Sequence, residues 1–302
     1  MCGIVGLFLK NPKLEPQLGT LLADMLKTMT DRGPDSAGFA VYGSDGTGVK
    51  LTLRGPDAKT LAGAVSGLEA ALGGVVGATA RDTHTVIALE ADQETAARDW
   101  LSANAPGIDV VSAGKRMEIY KETGLPENVA KRFDLSKMTG THGIGHTRMA
   151  TESAVTTNGA HPFSTGLDEC LVHNGSLSNH NDMRRRLQHE GITFATKNDT
   201  EVAAGYLSWR MREGASLKDA LESSLTDLDG FFTFVVGTET GFAVVRDPIA
   251  CKPAVMAETD DYVAFGSEYR ALIGLPGIDK ARVFEPEPAR VYAWERQTGE
   301  RH

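Results

Sequence analysis

A chain of 302 residues, 41% hydrophobic and with a formal charge of −9 at pH 7, fits an ordinary globular protein of one large domain or two small ones. The acidic balance, with no lysine–arginine run able to track a phosphate backbone, argues against nucleic acid as a partner. Three widely separated cysteines (Cys2, Cys170, Cys251) suit a reducing cytoplasm better than a disulfide frame, and no apolar run reaches membrane-spanning length.

The chain opens on Met1-Cys2-Gly3-Ile4-Val5-Gly6. Met1–Lys10 lacks the basic start and small-residue cleavage site of a signal peptide, and Cys2–Leu9 is apolar enough for a buried strand. Cysteine is small enough for a methionine aminopeptidase to expose it, and thiol and α-amine then share one residue. That amine titrates near pKa ~7.7–8.0 and can take the proton of its own side chain. A nucleophile with its base built in is one solution to acyl transfer. The plain alternative is a buried strand cysteine, and a retained Met1 blocks the amine.

Apolar residues at helical spacing (Leu18, Leu21, Leu22, Met25, Leu26, Met29) predict a helix over Gln17–Met29. Asp31–Gly38 reads as a turn-rich loop. Phe39–Tyr42 and Gly48–Arg54 read as a hairpin over Gly43-Ser44-Asp45-Gly46. Residues 55–111 then read as a small α/β insertion, with helices at Leu61–Leu72 and Gln93–Ala103 and strands at His84–Leu89 and Ile108–Ser112. It carries no glycine-rich phosphate loop and no ligand cluster, so it reads as packing or docking surface. A strand at Met117–Tyr120 and a short helix at Pro126–Phe133 come next, with Pro126 in the first turn. Helices are expected at Met183–Glu190, Thr200–Glu213 and Ser216–Leu225. Phe231–Gly237 and Gly241–Arg246 read as a hairpin, and Tyr262–Ser267 and Arg290–Trp294 as closing strands. Strands in two runs, with helices outside, predict an α+β fold.

Four polar clusters interrupt this pattern. In Arg32-Gly33-Pro34-Asp35-Ser36, an arginine beside a Gly-Pro turn can steady a nucleophile's backbone or lower a thiol pKa; the alternative is a solvated turn. In Gly145-His146-Thr147-Arg148, the guanidinium is a two-point clamp for a carboxylate, or else a plain salt bridge. In His173-Asn174-Gly175-Ser176, Asn-Gly signals a turn, but the Asn174 amide and the next backbone N–H can also serve one oxyanion. In Asn198-Asp199-Thr200-Glu201, Asp199 or Thr200 can cap a helix, or Asp199 can pair with a substrate ammonium. A thiol, an oxyanion pair, a carboxylate clamp and an ammonium partner together describe a site for an α-amino acid with an acyl side chain. Glutamine is the simplest such molecule.

In this order Met1-Cys2-Gly3-Ile4, Arg32–Gly38, Gly145–Arg148, His161-Pro162-Phe163, His173-Asn174-Gly175 and Asp199-Thr200-Glu201 resemble the class II glutamine amidotransferases, over roughly residues 2–54 and 112–270. Arg246-Asp247-Pro248, Lys252-Pro253 and Ser267-Glu268 look like late motifs of the same family. The resemblance implies a four-layer αββα N-terminal-nucleophile hydrolase sandwich over residues 2–302, with the segment at about 55–111 inserted. It implies Cys2 as nucleophile with its amine as base, and Asn174 and Gly175 as the oxyanion hole. Arg148 would hold the α-carboxylate and Asp199 the α-amine. Thr151 and His161 would line the glutamine pocket, and Arg32 would steady the nucleophile's loop. No metal site is expected. Three positions depart from the family pattern: Met149 where an aromatic residue is usual, Glu152 where some members have histidine, and Ala250 for a common glycine.

Known members fuse the glutaminase to an ammonia acceptor, for which this chain leaves no room. Its whole-chain pattern resembles the separate amidotransferase subunit of glutamate-synthase-like enzymes, the N-methylglutamate synthases among them. That resemblance implies a cytoplasmic hetero-oligomer. No cofactor would sit in this chain; FMN and an iron–sulfur cluster would sit in a glutamate-synthase-like partner, beside a β-helical subunit. The donor is then glutamine or γ-glutamylmethylamide, and an enlarged apolar pocket near Met149 would suit a methylated leaving group. Two other readings stay open: an acyl amidase of the same chemistry, against which Arg148 and Asp199 argue, and a non-catalytic scaffold docking through the insertion.

Overall fold

A computed structural model describes residues 2–43, 48–73, 77–150 and 154–296. The elements run β1 (Gly3–Leu9), α1 (Leu18–Thr28), β2 (Ser36–Tyr42), β3 (Val49–Arg54), α2 (Ala58–Leu72), β4 (Gly77–Arg81), β5 (His84–Leu89), α3 (Glu94–Asn104) and β6 (Asp109–Gly114). They continue β7 (Met117–Thr123), α4 (Pro126–Arg132), β8 (His142–Arg148), β9 (Phe163–Gly166), β10 (Glu169–Leu177), α5 (His180–His189), α6 (Asp199–Arg212) and α7 (Leu217–Asp227). The chain closes with β11 (Gly230–Gly237), β12 (Gly241–Arg246), β13 (Val255–Glu258), β14 (Tyr262–Gly266), β15 (Arg282–Phe284) and β16 (Val291–Glu295).

Two antiparallel sheets carry the fold, ordered β15-β13-β14-β1-β8-β2-β7 and β16-β12-β11-β10-β9. Side chains alternate across a strand, so β1 serves two cores at once. Its Val5, Leu7 and Leu9 pack with Leu22, Met25 and Leu26 of α1 and Val129 of α4. Its Ile4 and Phe8 face the other way, onto Val172 of β10, Val235 of β11 and Phe242 of β12. The second sheet repeats the scheme: Leu171 and Leu177 of β10 and Phe232 and Phe234 of β11 pack on α5, α6 and α7. The layers are therefore helix, sheet, sheet, helix, the expected αββα sandwich of the N-terminal-nucleophile hydrolases. Each fully buried Leu or Phe in these layers contributes roughly 1.5–3 kcal/mol. α6 is buried on all sides from Thr200 to Trp209, which is why it shows little amphipathic periodicity.

A third sheet, β4-β5-β3-β6, stands apart with its own core of Leu51, Leu53, Leu61, Leu68, Ile87, Leu89 and Leu101 under α2 and α3. This overturns the hairpin expected from Phe39–Tyr42 and Gly48–Arg54. Both edges of β2 are occupied, by β7 and β8, while β3 pairs with β5 and β6. The expected turn residues Ser44, Asp45 and Gly46 lie outside the described residues. Asp31–Gly38 is also less loop-like than expected, because Ser36, Ala37 and Gly38 already pair with β7 and β8. Among the described residues no helix is long and apolar enough to cross a membrane.

Candidate active site

Cys2 sits where β1 begins, between β14 and β8. Its neighbours lock the strand at that point. Gly3 N–H donates to Thr147 Oγ1 at 3.2 Å, Ile4 N–H donates to Ser267 Oγ at 2.9 Å, and Ser267 N–H donates to the Ile4 carbonyl at 2.9 Å. The Cys2 carbonyl accepts from Arg32 Nε at 3.0 Å and from Asn174 Nδ2 at 3.2 Å. Arg32 is buried, and its other arm donates to Glu268 Oε1 at 2.8 Å, with Arg270 Nε against Glu268 Oε2 at 2.7 Å. Arg32's hydrogen bond, before any other influence, holds the Glu268 carboxyl below its ordinary range.

The turn after Arg32 is bolted to the end of β8. A Cβ on Gly33 would fall 2.5 Å from the Arg148 nitrogen, so only glycine allows this approach. Asp35 N–H donates to the Arg148 carbonyl at 3.1 Å, and Ala150 N–H donates to Asp35 Oδ2 at 2.8 Å. Arg148 itself is buried, with Nη1 donating to the Ala154 carbonyl at 3.3 Å.

β10 carries Asn174 and Gly175, the pair expected to serve an oxyanion. Even-numbered residues of this strand face the other sheet, which aims Asn174 at Cys2. Gly175 has φ +154°, and a Cβ there would fall 2.0 Å from the Phe231 carbonyl on β11. Asn174-Gly175 is therefore strand backbone with a glycine-only conformation, not the tip of a turn.

α6 brings the last wall. The N-cap is Asn198, whose Oδ1 accepts Thr200 N–H at 2.8 Å, rather than Asp199 or Thr200. Asp199, at the first helical position, is left to accept Leu177 N–H at 3.0 Å through Oδ2. Thr200 is nearly fully buried behind it, within 2.8 Å of His161 Nε2 and 3.1 Å of His173 Nδ1. His161 stacks on His146, ring centroids 4.0 Å apart, and His146 Nε2 lies 3.1 Å from the His173 carbonyl. Burial keeps all three imidazoles neutral: it pushes His146 down to about 3 and His161 well below its usual range. It also lowers His173, against the opposing pull of Asp199.

These groups converge on one cavity of about 820 Å³, lined by Cys2, Arg148, His161, Asn174, Gly175 and Asp199 among others. Six of the eight expected site residues thus share one space, and Arg32 holds the Cys2 carbonyl. Thr151 and Glu152 lie outside the described residues. Met149, 37% exposed, lines the same cavity. Lys252 and Phe231 also line it, with the Lys252 ammonium 4.9 Å above the Phe231 ring. The residue roles read from sequence omit Lys252, Ser267, Glu268 and the Thr200 network, although the late motifs mark the first three. Ala250 occupies φ +51°, a conformation that glycine adopts without strain, and its N–H donates to Asp247 Oδ2 at 3.2 Å. Among the described residues no group of three or more His, Cys, Asp or Glu is placed to hold a metal ion.

A thiol, a donor-rich strand and a guanidinium–carboxylate pair in one cavity can bind an α-amino acid and attack its side-chain acyl group. Comparison with known proteins agrees with that chemistry. A glutamine amidotransferase domain family model matches residues 146–274. A Rhizobium meliloti (strain 1021) protein named glutamine amidotransferase-like protein GlxB is 61% identical over 298 residues, covering 98% of this chain and 99% of its own length. A glutamine–fructose-6-phosphate aminotransferase (isomerizing) of Vibrio vulnificus (strain YJ016) is 34% identical over 163 residues, 54% of this chain and 26% of its own. In solved structures, the glutamine phosphoribosylpyrophosphate amidotransferase of B. subtilis superposes with a TM-score of 0.61 at 22% identity, over 97% of this chain and 47% of that one. The chain thus spans about half the length of that structure, which shares its fold.

Proposed function

The chain belongs to the class II glutamine amidotransferases, and from that premise we propose that it is the glutaminase-type subunit of a glutamate-synthase-like complex. Cys2, freed of Met1, attacks the side-chain amide of a γ-glutamyl donor, and its α-amine takes the thiol proton. The tetrahedral oxyanion is stabilised by Asn174 and the Gly175 N–H, each donor being worth about 2.7–4 kcal/mol. The protonated amine then gives its proton to the departing nitrogen. A thioester is left on Cys2, and water releases glutamate. Arg148 binds the α-carboxylate, Asp199 the α-amine, and His161 lines the pocket.

The observation that carries this reading is the double grip on the Cys2 carbonyl, by Arg32 at 3.0 Å and Asn174 at 3.2 Å. It ties the backbone of Cys2 to Asn174, and Arg148 and Asp199 line the same cavity.

Ammonia released at neutral pH is mostly protonated and then a poor nucleophile, which calls for sheltered delivery to a partner. We infer a cytoplasmic hetero-oligomer in which a synthase subunit carrying FMN and an iron–sulfur cluster consumes the amine, beside a β-helical subunit. The donor is glutamine or γ-glutamylmethylamide. The exposed Met149 side chain in the cavity wall favours the methylated donor, and N-methylglutamate synthesis is then the reaction served. The test is amide hydrolysis by the wild type and by Cys2→Ala, with both donors compared. Loss of turnover in a folded Cys2→Ala chain is expected; retained turnover removes the assignment. Copurification from the native source without a flavin-bearing subunit would remove the complex.

A further inference from the structure

Between β8 and β9 the chain has no regular element over residues 154–162, yet Ala154, Thr156, Asn158, Gly159 and His161 of this run line the cavity. An irregular wall needs anchors, and β7 supplies two. The Thr157 hydroxyl donates to the Glu122 carboxylate. The Lys121 ammonium donates to the Ala160 carbonyl at 2.9 Å and to the Pro162 carbonyl at 3.3 Å, and it lies 4.4 Å from the centroid of the Phe163 ring. All three Lys121 contacts thus fall on residues that flank His161 in the chain. The His161 ring in turn packs edge-on against Phe163, with centroids 5.1 Å apart.

Lys121 is only 7% exposed, and among the described residues it makes no ion pair. Burial pushes its pKa down to about 8, which leaves it mostly protonated at neutral pH. Glu201 opposes that fall from a distance, its oxygens taken by the Ala195 and Thr196 N–H groups. A buried cation without a counter-ion carries a desolvation cost that an apolar side chain of similar length does not. Its charge is directed at two peptide oxygens and one ring, and a charged donor holds a carbonyl about twice as strongly as a neutral one.

We propose that Lys121 is a positioning residue of the donor pocket: by holding the carbonyls on either side of His161, it fixes that ring in the cavity wall for binding of the γ-glutamyl donor. This rests on the glutaminase reading.

The experiment measures kcat and KM for glutamine in the full-length wild type, Lys121→Met, His161→Ala and the double variant. Lys121→Met keeps the length of the side chain and removes the charge. It is expected to raise KM about tenfold, with kcat within about threefold of wild type. In the His161→Ala background the same change should alter KM at most about twofold, because the ring it positions is gone. A buried lysine with a merely structural role would lower the folded fraction and leave the KM of the folded enzyme unchanged. Losses that multiply in the double variant, a loss confined to kcat, or an unchanged KM overturn the positioning role while leaving the glutaminase reading standing. Should Lys121→Met not fold, Lys121→Gln, which keeps a neutral donor, is read in the same cycle. A wild type that hydrolyses neither glutamine nor γ-glutamylmethylamide overturns both.

Discussion

The Asn174 side-chain amide donates to the Cys2 carbonyl across 3.2 Å, joining residues 172 positions apart in the chain and in different sheets. The proposed nucleophile and oxyanion donor therefore do not depend on one loop; the ends of two sheets hold them. Asn174→Ala removes the proposed donor to the oxyanion and one of the two grips on the Cys2 carbonyl. A fall in kcat of about 10²–10³ is expected, with KM little changed. Steady-state kinetics of glutamine hydrolysis check it; a drop confined to KM would place Asn174 in substrate binding instead.

Glu268 acts through Arg32. The carboxylate takes Arg32 Nη1 at 2.8 Å, and Arg32 Nε holds the Cys2 carbonyl at 3.0 Å. Glu268→Gln weakens the first bond, frees the guanidinium to rotate, and should lower kcat about tenfold through misplacement of the thiol. The pH dependence has a definite sign. The folded pKa lies below the ordinary 4.5, so this stabilisation is present above pH 4.5 and is lost as the pH falls through the lower folded value. The variant should therefore lose less stability than wild type on acidification below pH 4.5, measured as thermal midpoint against pH.

Much of this arrangement is legible in the sequence, for local reasons. The helix at Leu18–Thr28 and the hairpin Gly230–Arg246 come from apolar spacing and turn residues close by in the chain. The illegible parts depend on distant partners. The edge strand β4, Gly-Ala-Thr-Ala-Arg, has no apolar alternation because its residues are almost all exposed, and only pairing with β5 makes it a strand. β2 and β3 are consecutive in the chain and look like a hairpin, yet each finds better-matched edges elsewhere. Thr200 looks like a cap because its neighbours invite that reading. Its hydroxyl lies instead between rings brought from positions 161 and 173 by the fold.

The buried imidazoles make the fold sensitive to acid. Burial pushes His84, His142 and His146 from 6.5 to about 3. In the unfolded chain each binds a proton as the pH falls below 6.5, while the folded chain does not. Folding stability must then decline between pH 6.5 and about 3, by up to ~1.4 kcal/mol per pH unit for each ring, and be unaffected above that range. His84 lies away from the cavity, packed edge-on against Phe133 with ring centroids 4.7 Å apart. Urea unfolding of wild type and His84→Asn at pH 7.5, 6 and 5 is the check. The variant is less stable throughout but should show a shallower slope; parallel slopes would mean that His84 is protonated in the native state.

Asp168 ties the insertion to the sandwich, and its removal tests whether that joint is rigid. It is buried at the turn between β9 and β10, and its carboxylate accepts the backbone N–H groups of Lys115, Arg116 and Met117 at 2.7, 2.9 and 2.9 Å. Lys115 and Arg116 link β6, the last strand of the insertion, to β7 of the seven-stranded sheet, and Met117 opens β7. Asp168→Ala leaves three N–H groups without this acceptor, and each costs about 1–3 kcal/mol where water cannot replace it. A loss of about 3 kcal/mol or more in urea unfolding is expected, with faster amide exchange at Lys115–Met117. Since none of these residues lines the cavity, glutamine turnover of the folded fraction should hold near wild type. A variant of unchanged stability would show that water takes over the three bonds and that the insertion is hinged rather than fixed.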